Sequence, residues 1–380
     1  MKMSYLRCYV TLSLLLPLAA NAAANWEQRQ NQLVLATHLH SNSNIFNTAQ
    51  GQTSARAAEL AIQWDWLQLY EGYGVALPLN VSRRNYQTQV ADDITLYDAA
   101  PELRFFLSEM TDLSLSAQAS RKQFLRGDED AEFLDNDEPT LQVDSQRLEA
   151  GIQIGRAPDV QNLLLNLSRS SKEQQSYRRD LQAFDSDAAE LRYSHKLNEN
   201  VAVVLDYALR QEEQNHQATD LSQVGAGLAL AWTGNQQLQL VAGRFNRKFA
   251  AQFERATGNY WQLLNNWQLN QQWQLEISSG RQSVLSAALN SVSQLDTRHQ
   301  VKLQWKPLQQ HQFSIGLQRL HSVLDQGDYQ RKRSLFALGW LWQPAQQWQL
   351  TLNAERVVQS RERQLDRSRH ELDFGVRWLW

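Results

Sequence analysis

Five tryptophans mark the second half of the chain at a near-constant period: Trp232, Trp267, Trp305, Trp342 and Trp380, with gaps of 35, 38, 37 and 38 residues. A repeat of this length restricts the fold to a helical repeat, a propeller blade or a pair of long strands joined by a tight turn. Each of the first four is followed by a short Gln-rich break, at 233–237, 268–272, 306–310 and 343–347. Between breaks the apolar residues recur at every second position. Val201, Val203, Leu205, Tyr207 and Leu209 share one face, with Ala202, Asp206, Ala208 and Arg210 on the other. Trp273, Leu275 and Ile277 alternate with Gln274, Glu276 and Ser278, and Trp348, Leu350 and Leu352 with Gln349, Thr351 and Asn353. Alternation of this kind is the strand signature and opposes helical repeats. The segments run to about a dozen residues, too long for blade strands and close to the roughly 9–11 that a tilted membrane-crossing strand requires.

The same reading places strands near 32–42, 56–66, 72–85, 94–107, 111–124, 141–155, 160–172, 185–196, 199–212, 220–232, 236–249, 257–269, 272–284, 293–306, 310–323, 329–342, 347–359 and 367–380. That is 18 strands, with 16 as the alternative count. Short connections are expected at 67–71, 108–110, 156–159, 197–198, 233–235, 270–271, 307–309 and 343–346, with long polar ones between them. Pro158, Pro307 and Pro344 fall in the short ones, where a missing N–H harms no ladder. Parity breaks at 94–100 and 242–249 point to β-bulges or misplaced segments. The predicted class is all-β, a transmembrane antiparallel up-and-down barrel.

A mean hydropathy of −0.54 does not oppose this, because lipid-facing and lumen-facing residues alternate in such barrels. Lys2 and Arg7, the apolar run 10–20 and Ala20-Asn21-Ala22 read as a signal peptide over 1–22. A short periplasmic segment, 23–31, then precedes the barrel, 32–380. The only cysteine, Cys8, lies in the signal, so the mature protein is expected to carry no thiol chemistry. The net charge of −3 gives no sign of nucleic-acid binding.

Tryptophans concentrate at strand ends. Trp64, Trp66, Trp232, Trp267, Trp273, Trp305, Trp340, Trp342, Trp348, Trp378 and Trp380 lie beside short connections or the terminus. A soluble sheet sandwich would place such anchors mid-strand, whereas an interfacial girdle places them at headgroup level. Trp232, Trp267, Trp273, Trp305, Trp342, Trp348, Trp378 and Trp380 are the girdle candidates. In hydrocarbon every backbone polar group must be paired, so the sheet has to close. Short turns then face the periplasm, and an even strand count puts both termini there.

The terminal strand alternates Leu372, Phe374, Val376, Trp378 and Trp380 with Glu371, Asp373, Gly375 and Arg377. A strand of this kind behind a signal peptide resembles the assembly signal of bacterial outer-membrane proteins. Arg83-Arg84-Asn85-Tyr86, Leu191-Arg192-Tyr193-Ser194-His195 and Gly243-Arg244-Phe245-Asn246-Arg247, with the chain's size, resemble the β-barrel porin 2 group. The resemblance implies outer-membrane lipid and lipopolysaccharide as surroundings, recognition of the last strand by the barrel-assembly machinery, and an association with exopolysaccharide export and its components.

The predicted inward face carries both charge signs. The lumen-lining candidates are Glu102, Arg104, Arg147, Glu149, Glu190, Arg192, Asp206, Arg210, Glu276, Arg298, Glu355 and Arg377, joined by Glu59, Asp65, Lys302 and Asp373. Charges in a pore set its selectivity, though paired ladders that only brace the wall are equally open. The acidic stretch Asp128, Glu129 and Asp130, with 135–138 beyond it, is an inward constriction, a cation- or lipopolysaccharide-bridging surface, or a solvated loop. It lacks the spacing of an EF-hand. His38 and His40 share a face but lack a third ligand at matching spacing, so no metal and no cofactor are expected. Neither Gly-x-Ser-x-Gly nor His-Glu-x-x-His occurs, and no enzyme is expected. The functional expectation is an outer-membrane pore for hydrophilic solute, in its finer form an exopolysaccharide exporter. The alternatives are a general diffusion porin and a non-conducting scaffold. Inward aromatics suited to stacking sugars are few, Phe106 and Tyr260.

Overall fold

In a computed structural model of the chain the described residues are 31–87, 91–126, 140–155, 161–176, 180–214, 217–232, 235–249, 255–285, 293–324, 330–361 and 366–380. They form 19 strand segments. The first nine are β1 (Gln32–Asn42), β2 (Ala55–Tyr70), β3 (Tyr73–Tyr86), β4 (Ile94–Ala99), β5 (Glu102–Ser108), β6 (Thr111–Leu125), β7 (Thr140–Ile154), β8 (Gln161–Ser176) and β9 (Asp180–Asn198). The others are β10 (Val201–Gln214), β11 (Gln217–Trp232), β12 (Gln236–Phe249), β13 (Arg255–Gln268), β14 (Trp273–Leu285), β15 (Ser293–Leu308), β16 (His311–Leu324), β17 (Gln330–Ala345), β18 (Trp348–Arg361) and β19 (Arg367–Leu379). All belong to one antiparallel sheet, which closes where β1 pairs with β19.

The segments make 18 crossings, because β4 and β5 are one strand with a gap. Along β3, Leu79 faces Ala99 and Ala76 faces Glu102, a single unbroken register. Pro101 causes the gap: it has no N–H to give the ladder, although its carbonyl still accepts from the Ala117 N–H at 3.0 Å. The 16-strand alternative is thereby excluded.

Two sequence expectations are corrected. No bulge occurs at 94–100 or 242–249, since both segments keep register with their neighbours. In 242–249 the alternation is inverted instead. Arg244, Asn246 and Lys248 face outward, while Phe245 and Phe249 point inward and are buried. The long polar connections expected after 172 and 212 are largely strand, for β8 runs to Ser176, β9 starts at Asp180, β10 runs to Gln214 and β11 starts at Gln217. The extensions at 173–176 and 213–214 are polar on both faces, so periodicity could not reveal them, yet the backbone ladder continues. Of the prolines assigned to turns, Pro307 and Pro344 sit at the register shifts that end β15 and β17, and Pro158 lies outside the described residues.

The closed sheet sorts side chains by parity. On β1, Leu35 and Leu39 are exposed on the outside, while Val34 and Ala36 are buried on the inside. Cross-strand register carries that assignment around the wall, so that Leu60, Ile62, Val81, Leu115, Leu148, Leu167, Leu205, Leu240, Ile315 and Leu338 form an outer apolar band. The turn Glu71-Gly72 joins β2 to β3 in two residues, and Gly72 adopts φ +84° there, which side chains resist.

At the end where the short turns lie, outward aromatic rings form a near-continuous course. Trp273 stacks on Trp305 at 5.4 Å, Trp305 meets Phe313 at 5.5 Å, and His311 lies 5.9 Å from Trp342. Trp348 faces Trp378 across β18–β19, and Trp378 stacks on Trp380. Trp267 belongs to the same course by register, and Tyr70, Tyr73 and Phe105 extend it over β2–β5. Trp232 ends β11 at this level, and its side chain lies outside the described set. Both ends of the barrel chain are here too: the Trp380 N–H donates to the Leu33 carbonyl at 2.8 Å and the Leu33 N–H to the Trp380 carbonyl at 2.9 Å. Deleting Trp378–Trp380 removes these closing bonds and two outward aromatic positions. We expect a several-fold lower yield of folded barrel in detergent, read as heat-modifiable gel mobility; an undiminished yield would overturn this.

The wall is incompletely laced at one place. β13 and β14 pair only over Trp261–Gln268 with Gln274–Arg281, whereas β12–β13 and β14–β15 pair along nearly their whole length. Beyond Arg281, β14 leaves β13. Its Ser283 packs instead against Arg247, an inward residue of β12. The outer part of β14 therefore tucks inside the neighbouring wall.

Candidate functional site

Register places all twelve lumen candidates on the inner face. Glu102, Arg104, Arg147 and Glu149 come from β5 and β7, and Glu190, Arg192, Asp206 and Arg210 from β9 and β10. Glu276, Arg298, Glu355 and Arg377 come from β14, β15, β18 and β19. Several are joined in pairs. Arg192 grips Asp206 with two bonds, of 2.7 and 3.1 Å. Arg210 meets Glu190 at 2.7 Å, Arg147 meets Glu149 at 2.8 Å, and Lys302 lies 3.9 Å from Glu276. Three of these pairs set opposite charges at neighbouring positions of adjacent strands, the arrangement that stabilises cross-strand contacts, while Arg147 and Glu149 are next neighbours on one face of β7. The inner wall thus presents alternating charge rather than a ring of one sign.

The seam between β1 and its neighbours carries the densest cluster. His40 has Asp373 2.9 Å from Nδ1 and Glu59 3.2 Å from Nε2. His38 lies 3.3 Å from Asp373 and stacks on His40, and Arg84 binds Glu59 at 2.7 Å. The two histidines are wall residues inside a carboxylate–arginine network that spans β19, β1, β2 and β3.

The constriction expected of Asp128, Glu129 and Asp130 falls outside the described residues. A different segment occupies the mouth at the long-loop end. The connection 43–54 folds over the inner face, burying Asn44, Ile45 and Asn47. Asn44 donates to the Ser368 carbonyl at 2.9 Å, and Asn47 donates to the inward Gln359 side chain at 2.7 Å. From β6, several strands away round the wall, Arg126 donates to the Phe46 carbonyl at 2.8 Å, while its own carbonyl accepts from Arg369 at 2.9 Å. Asn47 takes φ +46°, a conformation asparagine tolerates better than most residues. Sequence reasoning missed this loop. Its one signal was Ile45-Phe46, an apolar pair set among Asn42, Asn44 and Asn47 in an otherwise polar connection.

Arg247 was also missed as a lumen group. It is fully buried and bonds Glu212 of β10, Thr219 of β11 and Ser283 of β14. Phe106 and Tyr260 point inward as expected. Tyr260 lies over Gly225 and Gly243, where any Cβ would collide with its ring. The inner aromatic set is larger than expected, since Tyr86, Phe124, Phe245 and Phe249 also point inward, but Phe245 and Phe249 are buried and offer no open ring face.

No known protein family and no curated protein matches this sequence. Solved structures do match its fold. The outer membrane protein OpdK of Pseudomonas aeruginosa superposes with a TM-score of 0.52 at 11% identity, over 92% of this chain and 99% of that one; it has also been solved with vanillate. OccK9 (OpdG) of the same organism gives 0.52 at 12% identity, over 93% and 100%. OccAB4 of Acinetobacter baumannii gives 0.50 at 9% identity, over 93% and 99%. At these identities the likeness shows a shared fold, that of bacterial outer-membrane barrels.

Proposed function

We propose that this protein is an outer-membrane channel for small hydrophilic solutes, with its termini and short turns on the periplasmic side. The observation that carries the reading is a closed 18-crossing barrel with an apolar outside and an inside lined by Arg, Glu, Asp and His. Barrels of this strand number enclose an aqueous interior. In this reading the paired charges form a polar path, and the 43–54 loop with Arg126 narrows its outer mouth. Planar-bilayer recording of the purified protein tests it. Discrete conductance steps are expected, and vanillate, a small carboxylate, is a first probe for transient block. A silent barrel of correct gel mobility would sink the channel reading in favour of a scaffold.

The finer reading, exopolysaccharide export, draws on the resemblance described above and on Tyr260 and Phe106 at the inner face. It requires that deletion abolish a secreted polymer while small-solute uptake persists; the reverse pattern favours a diffusion porin. Recognition of β19 by the assembly machinery belongs to the same proposal.

A further inference from the structure

The inner wall over β9 to β13 brings an aromatic ring and an ion pair together along one row. Tyr260 of β13 faces Gly243 of β12, Gly243 faces Gly225 of β11, Gly225 faces Asp206 of β10, and Asp206 faces Arg192 of β9. The pose of the ring follows from the two glycines. A Cβ on Gly243 would meet the Tyr260 ring at 2.7 Å, and one on Gly225 would collide with the Tyr260 hydroxyl. The ring therefore lies flat across β12, and its hydroxyl ends above β11, beside the strand that carries Asp206. One ring face rests on backbone and the other is turned to the lumen, and the side chain is only half-buried. Among the described residues the Tyr260 hydroxyl has no hydrogen-bond partner.

The ion pair at the other end of the row is satisfied in charge but not in hydrogen bonds. Arg192 and Asp206 hold each other at 2.7 and 3.1 Å, and both remain partly exposed. Nearer the long-loop end, Arg210 and Glu190 form a second such pair at 2.7 Å. The charges cancel, so the row offers no excess of either sign. A carboxylate has about four acceptor sites and a guanidinium about five N–H donors, so a two-bond pair leaves capacity on each side. The row thus combines a flat apolar ring face, a hydroxyl, spare acceptors and spare donors, with no net charge. A pyranose ring is the complement: its axial C–H groups make an apolar face and its equatorial hydroxyls donate and accept at the edge. An anionic solute would bury its charge beside Asp206 with Arg192 already committed, which is costly. A plain apolar ring would cover the hydroxyl and the ion pair without bonding them, which is also costly.

We propose that this row is a stacking site for an uncharged pyranose unit, its apolar face on the Tyr260 ring and its hydroxyls on the Tyr260 hydroxyl, Asp206 and Arg192. The proposal rests on the channel reading above and deepens it, naming the uncharged sugar as the hydrophilic solute that the lumen retains. The sugar is free in solution or part of a chain in transit.

Saturation-transfer NMR of the whole protein, in a detergent free of sugar headgroups, tests the assignment. The probes are cellotriose, cellopentaose, trigalacturonate and vanillate. Cellotriose is expected to bind, and trigalacturonate roughly tenfold more weakly, because its carboxylates find no uncommitted cation. Tyr260→Leu should weaken cellotriose roughly three- to tenfold, the worth of an aromatic contact. Gly225→Ala, which lifts the ring and changes no polar group, should give a similar loss. Asp206→Asn should weaken cellotriose by about tenfold and, by releasing the charge of Arg192, strengthen vanillate. A purely structural Asp206 would not produce that exchange of preference. Affinity that rises from cellotriose to cellopentaose assigns the site to a chain in transit, and equal affinity to free sugars. Absent cellotriose binding, trigalacturonate or vanillate binding as tightly as cellotriose, or cellotriose binding unchanged in Tyr260→Leu and Asp206→Asn, overturns the proposal. Gel mobility shows that each variant is folded. Conductance reads the channel proposal separately: a conducting barrel that ignores cellotriose removes only the stacking site.

Discussion

Replacing residues 44–52 by a short Gly-Ser turn is expected to raise single-channel conductance by roughly twofold or more, with opening of the outer mouth as the cause. The argument is geometric. Asn44 and Asn47 tie the loop to β19 and β18, while Arg126 reaches it from β6, so the segment bridges wall positions several strands apart round the lumen. The bonds are partly or wholly buried, and an amide or guanidinium that loses its partner there costs about 1–3 kcal/mol. Arg126→Ala therefore makes a graded version of the same test: it removes the Phe46 bond and should give noisier, flickering currents with the loop still present. Unchanged conductance in the loop replacement would show that the narrowest point lies elsewhere.

Arg247→Leu is expected to destabilise the barrel by about 3–5 kcal/mol, the usual cost of leaving one member of a buried ion pair alone. Arg247 is 0% exposed and its Glu212 partner is also buried, so water cannot replace the lost contact. The same change frees Ser283 and with it the tucked end of β14. The double variant Arg247→Leu, Glu212→Leu removes both charges and should recover much of the loss, since a well-packed apolar pair often equals a buried ionic one. Urea unfolding followed by tryptophan fluorescence in detergent reads both. If the single variant matches the wild type within about 0.5 kcal/mol, the cluster is not a structural clasp.

What could be read from the sequence followed what the membrane imposes. Where one face meets lipid, alternation is strict, and Leu205, Tyr207 and Leu209 against Asp206 and Arg210 gave both the strand and its sides. Register then put Arg192 beside Asp206 and Arg210 near Glu190, residues that alternation had assigned to one face without saying which would meet. Beyond the lipid the constraint disappears. The strand extensions around Gln174 and Glu213 are polar on both sides, so only the backbone ladder reveals them. The 43–54 loop and Arg247 were illegible for a related reason. Their partners are 80 to 324 residues away in the first case and 28 to 36 in the second, and nothing in a local window encodes such meetings.

A tube whose staves are hydrogen-bonded edge to edge has a fixed girth, because widening it by any amount breaks a whole ladder. This barrel escapes that rule at the outer ends of β13 and β14, where the staves overlap instead of joining. There, among the described residues, the end of β14 is held to the wall by the side chains around Arg247 rather than by backbone bonds to β13. The short-turn half is a rigid hoop and the long-loop half a split collar, so any change of bore concentrates at the collar while the hoop keeps its size.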